Sequence, residues 1–281
     1  MNKNEEKELR LKACDIRKGI IESTYNAKSG HPGGSLSATE LFTYLYFKEM
    51  KIDAKNPKWE SRDRFVLSKG HTAPGLYSTL ANRGFFSVED LKTLRKIDSY
   101  LQGHPNMNTV PGVDMSTGSL GQGISTAVGM AKGAKYKNLD CRVYALLGDG
   151  ELQEGQVWEA FMFASHYKLD NLCVIIDNNG LQIDGSIEAV MSPYPIAQKL
   201  ESFGFEIEVV NAHSFEELEK AFLRGRNTKG KPFAILMNSV KGKGISFMEN
   251  KAEWHGKAPN KDEYIKAIKE LNLEYSKWEA K

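Results

Sequence analysis

Five short apolar runs of strand length recur along the chain and are separated by segments with helical periodicity. Several of these runs contain no polar alternation, which is typical of strands covered on both faces. Strands that alternate with helices predict a mostly parallel sheet with helices on both sides, and therefore an α/β fold. One domain over residues 1–281 is the simplest organisation. The predicted strands are 64–68, 142–147, 171–176, 205–210 and 232–238.

Helix start signals lie between the predicted strands. Ser37 with Glu40, and Ser214 with Glu217, have the spacing of a capping box, in which a hydroxyl and a carboxylate satisfy free backbone amides. We therefore expect helices to begin at these two serines. The other predicted helices are 6–26, 124–134 and 262–273, the last with Tyr264, Ile265, Ile268 and Leu271 on one face.

Composition excludes several classes of protein. The formal net charge is +2, which gives no electrostatic support for a nucleic-acid or membrane partner. The apolar runs are too short to span a bilayer, and the first ten residues are too polar for a signal peptide. The three cysteines lack the spacing of a zinc knuckle or a disulfide framework. These features favour a cytoplasmic protein.

Polar residues follow two of the predicted strands at the point where each strand ends. Gly148-Asp149-Gly150 comes after 142–147, and Asp177-Asn178-Asn179-Gly180 comes after 171–176. Each fragment alone is most often a turn. Asp149 and Asn179 are 30 residues apart, however, which is about the length of one strand–helix–strand unit. Adjacent parallel strands would therefore place them side by side, as oxygen ligands for Mg²⁺ or Ca²⁺ with phosphate completing the shell.

The glycine-rich segment 118–123 is not a dinucleotide-binding fingerprint. Its glycine spacing differs from that motif, and no strand precedes it. It could still open the helix 124–134, and the N-terminus of a helix favours a phosphate group.

Four of the six histidines stand next to a glycine, which places them on loops. Any one of them alone is most simply a surface residue, but four in similar contexts favour one shared polar pocket. A zinc cluster has little support, because no pair has i, i+3 or i, i+4 spacing. We interpret His166 and His213, which lack the glycine context, as structural. The glycine-flanked histidines are His31, His71, His104 and His255.

Taken together, these motifs resemble thiamine-diphosphate enzymes and, among them, the transketolase family. Gly148-Asp149-Gly150 with Asn178-Asn179 is similar to the family's thiamine-diphosphate motif. Gln153-Glu154-Gly155 favours transketolase over the related deoxyxylulose-phosphate synthases. The resemblance covers nearly the whole chain and implies the family's thiamine-diphosphate-binding fold. The segments that carry it are 30–34, 69–71, 102–105, 118–121, 148–155, 178–185, 241–244 and 255–256.

The resemblance also implies a role for individual residues. Asp149, Asn179 and the carbonyl of Leu181 would bind a divalent metal, Mg²⁺ or alternatively Ca²⁺ or Mn²⁺. Ser119 stands where many members have proline, which bears on the conformation of that loop. The cofactor would be contacted by Gly118, Leu120, Gly150, His71, His255 and Ile183, as well as by Asp149 and Asn179.

Four residues would act on the substrates. His31, His104 and His255 would line the donor and acceptor channel, polarise the ketose carbonyl and move protons. Glu154 would belong to a carboxylate relay at a dimer interface. The reaction would move a two-carbon ketol unit from a ketose phosphate to an aldose phosphate, as in the pentose phosphate pathway, with the cofactor as electron sink.

Only 26 residues follow His255, too few for a further domain. Family members pair this diphosphate-binding domain with a pyrimidine-binding domain. The resemblance therefore implies the N-terminal subunit of a split transketolase, active with a separate C-terminal subunit in a heterotetramer that contains two copies of this chain.

Two alternatives remain. One is another thiamine-diphosphate enzyme: a synthase, a decarboxylase, or a transketolase for a sulfonated or branched sugar. The other is a non-enzymatic paralogue, which would be expected to have lost its ligands.

Overall fold

A computed structural model describes residues 1–281 of the chain. Strands and helices alternate along most of the sequence, as the apolar runs predict. The strands are β1 (Arg64–Leu67), β2 (Val143–Gly148), β3 (Leu172–Asn178), β4 (Leu181–Gln182), β5 (Gly185–Ser186), β6 (Glu206–Asn211) and β7 (Phe233–Asn238).

Helices connect most of these strands. A π-helical turn, Leu45–Glu49, extends the third helix, and short 3₁₀ turns cover Gly70–Thr72, Val88–Thr93, Gly150–Gln153 and Ala252–His255. The α-helices are α1 (Lys3–Ala27), α2 (Pro32–Ser37), α3 (Thr39–Tyr44), α4 (Ala73–Arg83), α5 (Gln122–Tyr136), α6 (Gly155–His166), α7 (Ile187–Met191), α8 (Ile196–Ser202), α9 (Phe215–Asn227) and α10 (Lys261–Glu279).

Five strands form one parallel sheet in the order β1-β2-β3-β7-β6. All five predicted strands are present, and each is displaced by no more than two residues at either end. The expected α/β fold is therefore confirmed. β4 and β5 form a separate antiparallel hairpin, which the sequence did not predict. No helix has both the length and the apolar composition that crossing a membrane requires.

Alternate residues of the strands pack into two different hydrophobic layers, one on each face of the sheet. Phe65 and Leu67 of β1 pack with α1, α3, α4 and α9, whereas Val66 between them packs with α5, α6 and α8. Burying a side chain of this size stabilises the fold by about 1.5–3 kcal/mol. Because both faces are covered in this way, every central strand is apolar throughout, and its polar residues are confined to its ends.

The predicted helices 6–26, 124–134 and 262–273 correspond to α1, α5 and the first part of α10. Asn260 caps α10 through a capping box with Glu263. The predicted apolar face of α10 is wrong at one position. Ile265 is 53% exposed, whereas Leu271 is buried. Tyr264, Ile268 and Leu271 follow i, i+4, i+7 spacing, and Ile265 lies about 100° around the helix from that line.

The capping box predicted at Ser37 is also wrong. Ser37 is the last residue of α2, and its hydroxyl donates to Asp177 Oδ2 at 2.6 Å. Glu40 pairs instead with Arg17. Asp177 and Glu40 are buried carboxylates, which require hydrogen-bond donors. The Ser37 hydroxyl and the Glu40 carboxylate therefore bind these distant partners instead of the backbone amides of a helix cap. At Ser214 half of the box forms: its hydroxyl accepts from the amide of Glu217, whose carboxylate accepts from another amide upstream.

Residues 239–256, after β7, return across the end of the sheet toward α2. The Gly242 amide donates to the Gly33 carbonyl at 3.0 Å, and Trp254 is buried against α1, α2 and α10. A Cβ at Gly33 would lie 2.7 Å from the Trp254 carbonyl, so a side chain at position 33 would push the two segments apart. This return segment closes one side of the site described next.

Candidate active site

A cavity of about 300 Å³ opens at the carboxyl edge of the sheet, where β2 and β3 end. This is the edge at which ligands bind in open parallel sheets. Ten of the twelve site residues named from the sequence line its wall. The ten are His31, His71, Gly118, Leu120, Gly150, Glu154, Asn179, Leu181, Ile183 and His255.

Asp149, one of the remaining two, is buried at the end of β2, with 2% of its surface exposed. Its carboxylate accepts from the Gly180 amide at 2.6 Å and from the Gly150 amide at 2.8 Å. Burial, followed by the nearby charge of Asp177, raises the pKa of Asp149 to about 6. A buried carboxylate that is hard to ionise for these reasons has the chemistry of a cation ligand.

Asn179 and Leu181 lie on the loop that follows β3. The amide of Asn179 donates to Asp177 Oδ2 at 3.2 Å, and its oxygen accepts from the Leu181 amide at 3.1 Å. The Leu181 carbonyl accepts from the Lys241 ammonium at 3.0 Å. The adjacent strand ends therefore bring Asp149 and Asn179 to one edge, although no hydrogen bond joins the two side chains.

Asp177, which was not among the predicted site residues, organises the floor of the site. It is completely buried and accepts from Ser37, Lys69 and Ser239. Burial by itself would raise the pKa of Asp177, but the Lys69 ammonium and the neighbouring hydroxyls hold it below its usual value. Asp177 thus stays ionised beside Asp149 and anchors Lys69 at the cavity.

Two buried lysines, Lys69 and Lys241, line the cavity, and the sequence motifs gave neither of them a role. The Lys241 ammonium lies 3.0 Å from the Leu181 carbonyl and 3.0 Å from His255 Nδ1. Burial, followed by repulsion from Lys69, lowers the pKa of Lys241 to about 8. Two buried ammonium groups in one cavity wall favour an anionic ligand.

His31, His71 and His255 form one cluster in the cavity wall. Their ring centroids are 5.0–5.4 Å apart. Burial is the main cause of a lowered pKa in all three, with a value of about 4 for His31 and about 3 for His255. The three imidazoles are therefore neutral near pH 7. Because Lys241 donates to His255 Nδ1, the ring proton of His255 is assigned to Nε2.

Two buried polar atoms of the cavity wall have no hydrogen-bond partner. They are Nδ1 of His31 and Nε2 of Gln182. A buried polar group without a partner costs about 1–3 kcal/mol, so such groups usually mark a place that a ligand or water fills.

His104 is the second predicted residue outside the cavity wall. It is exposed, and its ring lies against Gly118, 3.1 Å from the position that a Cβ would take. Three of the four histidines predicted to share a pocket therefore line the cavity, and His104 lies next to the lining residue Gly118 without lining the cavity itself. Glu154 is exposed at the rim.

Glu151, which the sequence did not single out, is buried behind the rim. Its carboxylate accepts from Ser68 and from the amides of Gly121 and Gly148. It thereby ties the glycine-rich segment 118–121 to the end of β2. The polar pair at these strand ends could be predicted, but these buried carboxylate contacts carry no sequence signal.

The family model described as "Transketolase, thiamine diphosphate binding domain" matches residues 10–279. The chain belongs to the transketolase family. This places the cavity in the part of a transketolase that binds thiamine diphosphate.

Several proteins named as transketolase subunits resemble the chain over their whole length. It is 42% identical to the 6-deoxy-6-sulfo-D-fructose transketolase subunit SqwG of a Clostridium species, over 95% of this chain and 97% of that protein. It is also 42% identical to an apulose-4-phosphate transketolase subunit of Phocaeicola vulgatus, over 96% of each.

Longer transketolases match over only part of their length. Human transketolase is 45% identical over 91% of this chain, which corresponds to 41% of the human protein. The solved structure of the Leishmania mexicana enzyme superposes with a TM-score of 0.85 at 31% identity, over 97% of this chain and 46% of that one. The chain thus spans less than half of these transketolases.

Proposed function

We propose that this chain is the thiamine-diphosphate-binding subunit of a two-subunit transketolase. The assembly would move a two-carbon ketol unit from a ketose phosphate to an aldose phosphate. The observation that carries this proposal is the cavity at the end of β2 and β3, where Asp149, Asn179 and two buried lysines meet. The match to named transketolase subunits over their full length supports the division into two chains.

The residues present fit thiamine diphosphate and a divalent metal. Asp149, Asn179 and the carbonyl of Leu181 would hold the metal, Mg²⁺ or alternatively Ca²⁺ or Mn²⁺, because all three offer hard oxygen ligands. Lys69 and Lys241 would neutralise the diphosphate, and their mutual repulsion in the free chain would then be relieved. The unpartnered atoms of His31 and Gln182 mark further polar positions in the same wall. The remaining contacts would come from His71, Gly118, Leu120, Gly150, Ile183 and His255.

Thiamine diphosphate would supply a carbon nucleophile and an electron sink for cleavage of a carbon–carbon bond. The neutral histidines of the wall would handle the protons. His255, with its proton assigned to Nε2, would donate to an oxygen of the ketose. His31 would exchange a proton with a substrate hydroxyl, and His104, just outside the wall, would meet the part of the sugar that extends from the cavity.

The second subunit would cover the open rim of the cavity. Glu154, Leu120 and Ile183 are exposed there although they line the cavity wall. A pyrimidine-binding subunit would bury these side chains, and Glu154 would then join a carboxylate relay across the interface. We propose a heterotetramer with two copies of each chain, in which this chain contributes a single domain. The composition and the three buried cysteines fit a cytoplasmic location.

The substrate need not be a pentose phosphate. Two relatives that match the chain over their full length are named for unusual sugars, 6-deoxy-6-sulfo-D-fructose and apulose 4-phosphate. A sulfonated or branched ketose is therefore the second candidate donor. An assay of the reconstituted two-subunit enzyme with xylulose 5-phosphate, sulfofructose and apulose 4-phosphate would distinguish these substrates through their kcat/KM values.

Calorimetric titration of the chain with thiamine diphosphate, with and without Mg²⁺, tests the proposed function. We expect metal-dependent binding that tightens when the partner subunit is present. Replacing Asp149 with Ala should abolish the effect of the metal. Asp63→Asn is a matched control, because Asp63 is equally buried and accepts two backbone amides at the opposite edge of the sheet. If neither the chain nor the pair bound thiamine diphosphate, the proposal would be wrong.

A further inference from the structure

We infer that Glu40 is a positioning residue of this site, although it lies outside the cavity. With Arg17 and His213 it fixes the backbone of the segment 240–243 and so holds the Lys241 ammonium in the cavity wall. This inference rests on the proposed function, in which Lys241 meets the diphosphate.

Glu40 is the centre of a buried charged cluster. It is 3% exposed, and both of its oxygens accept from Arg17 Nη2, at 2.7 and 2.8 Å. Its Oε2 also lies 3.0 Å from His213 Nδ1. It is not part of the cavity wall, but with Arg17, His213 and Lys243 it lines a separate cavity of about 560 Å³.

Arg17 and His213 each use a second side-chain nitrogen to form a hydrogen bond with the backbone of the return segment. Arg17 Nε donates to the Lys243 carbonyl at 3.0 Å, and His213 Nε2 accepts from the Val240 amide at 3.0 Å. The second contact requires an unprotonated Nε2, so the ring proton lies on Nδ1 and points at Glu40. Glu40 therefore fixes the tautomer with which His213 binds the segment.

Lys241 stands between these two attachment points. Its own carbonyl accepts from the Asn250 amide at 2.9 Å, and the next amide, of Gly242, donates to Gly33. Packing is close, because a Cβ at Gly244 would lie 2.8 Å from Arg17 Nε. With its main chain held on both sides, the Lys241 ammonium can lie 3.0 Å from both the Leu181 carbonyl and His255 Nδ1.

Glu40→Gln removes one necessary acceptor without a change in size. The amide has one oxygen and one NH₂ group, so it can accept from Arg17 or from His213 but must turn a donor toward the other. If His213 loses its acceptor, it is free to carry its proton on Nε2, which then faces the Val240 N–H. Either arrangement loosens one attachment of the segment, as happens when the outer partner of a ligand-binding side chain is removed.

Hydrogen–deuterium exchange on the ligand-free full-length chain tests the first half of the inference. Glu40→Gln should accelerate exchange in residues 239–250. The control is Glu49→Gln, since Glu49 is also buried and is bound to Arg226 at 2.7 Å and to Tyr144 at 2.9 Å. Tyr144 lies at the amino-terminal end of β2, whereas the return segment lies at the carboxyl end of the sheet. The control should lose stability without this local effect. Equal exchange of 239–250 in Glu40→Gln and the unmodified chain would overturn the inference.

Titration with thiamine diphosphate and Mg²⁺ tests the second half. We expect Glu40→Gln to raise the Kd about 10- to 100-fold, the range typical of outer partners of a ligand. In a Lys241→Ala background the same change should have no further effect, because both act through one side chain. Additive losses would overturn the role assigned to Lys241. If the unmodified chain and its complex bound no thiamine diphosphate, the proposed function would fail, and the exchange result would still decide how Glu40 acts on the segment.

Discussion

Asp149→Asn should stabilise the metal-free chain at neutral pH while it removes metal binding. The pKa of Asp149 is raised from 3.8 to about 6, and each unit corresponds to about 1.4 kcal/mol, so its ionisation costs the folded state about 3 kcal/mol. Because folding raises the pKa of this carboxyl group, the cost applies in full above the pKa of the folded state, about 6. It disappears below the pKa of the unfolded state, 3.8. Asparagine avoids the charge but can accept only one of the two amides, of Gly180 and Gly150, which costs about 1–2 kcal/mol.

Compared with the unmodified chain, Asp149→Asn should therefore have a free energy of unfolding that is higher by about 1–2 kcal/mol at pH 7.5 and lower by a similar amount at pH 4. Urea denaturation of both proteins in EDTA at the two pH values measures it. If Asp149→Asn were destabilised by the same amount at both pH values, the carboxylate would carry no ionisation penalty, and this reasoning would be refuted.

Addition of Mg²⁺ and thiamine diphosphate should reverse the order of stability. A ligand at 100 times its Kd stabilises the folded state by about 2.7 kcal/mol; the unmodified chain should gain this increment, and Asp149→Asn should not. Asp63→Asn should gain it as well, because that residue lies at the amino-terminal ends of β1 and β2.

Three further predictions concern single residues. Lys241→Ala should weaken thiamine diphosphate binding by about 10-fold or more in calorimetry, because it removes a buried cation from the cavity wall. His31→Ala should lower the kcat of the two-subunit enzyme by about 10²–10⁴-fold with a much smaller change in cofactor Kd, as expected of a proton-transfer group; an unchanged kcat would exclude that role. Gly123→Ala should cost about 1–3 kcal/mol in urea denaturation, since its Cβ would lie 2.6 Å from the Ser68 Cα. Gly129→Ala in the same helix meets nothing within 4 Å and should be neutral or stabilising.

The fold could be predicted because its strands are buried on both faces and so read as continuous apolar runs. The Asp149 and Asn179 positions followed from the rule that parallel strands end at one edge. Neither rule predicts side-chain contacts between residues that are far apart in the sequence. Lys69 and Asp177 are 108 residues apart, and only the folded sheet brings them together.

The same limit explains the errors at Ser37 and Glu40. Their spacing matches a helix cap, yet each side chain is taken by a buried partner far away in sequence. His104 shares its glycine and proline context with His31, but only His31 lines the cavity. Local sequence cannot show which of two similar loops places its histidine in the cavity.

The direction of the strands places the cavity at the carboxyl edge of the sheet, so the turns that enter the strands lie at the opposite end. All the residues of the cavity come from the carboxyl edge, so the turns that enter the strands can be altered without touching it. Gly230, in the turn before β7, is exposed, has a φ of +73° and has nothing within 4 Å of its Cβ position. A peptide tag inserted there should be tolerated. It would offer a handle by which the partner subunit could be captured while the open rim remains accessible, and loss of thiamine diphosphate binding in the tagged chain would show that the two ends of the sheet are not independent.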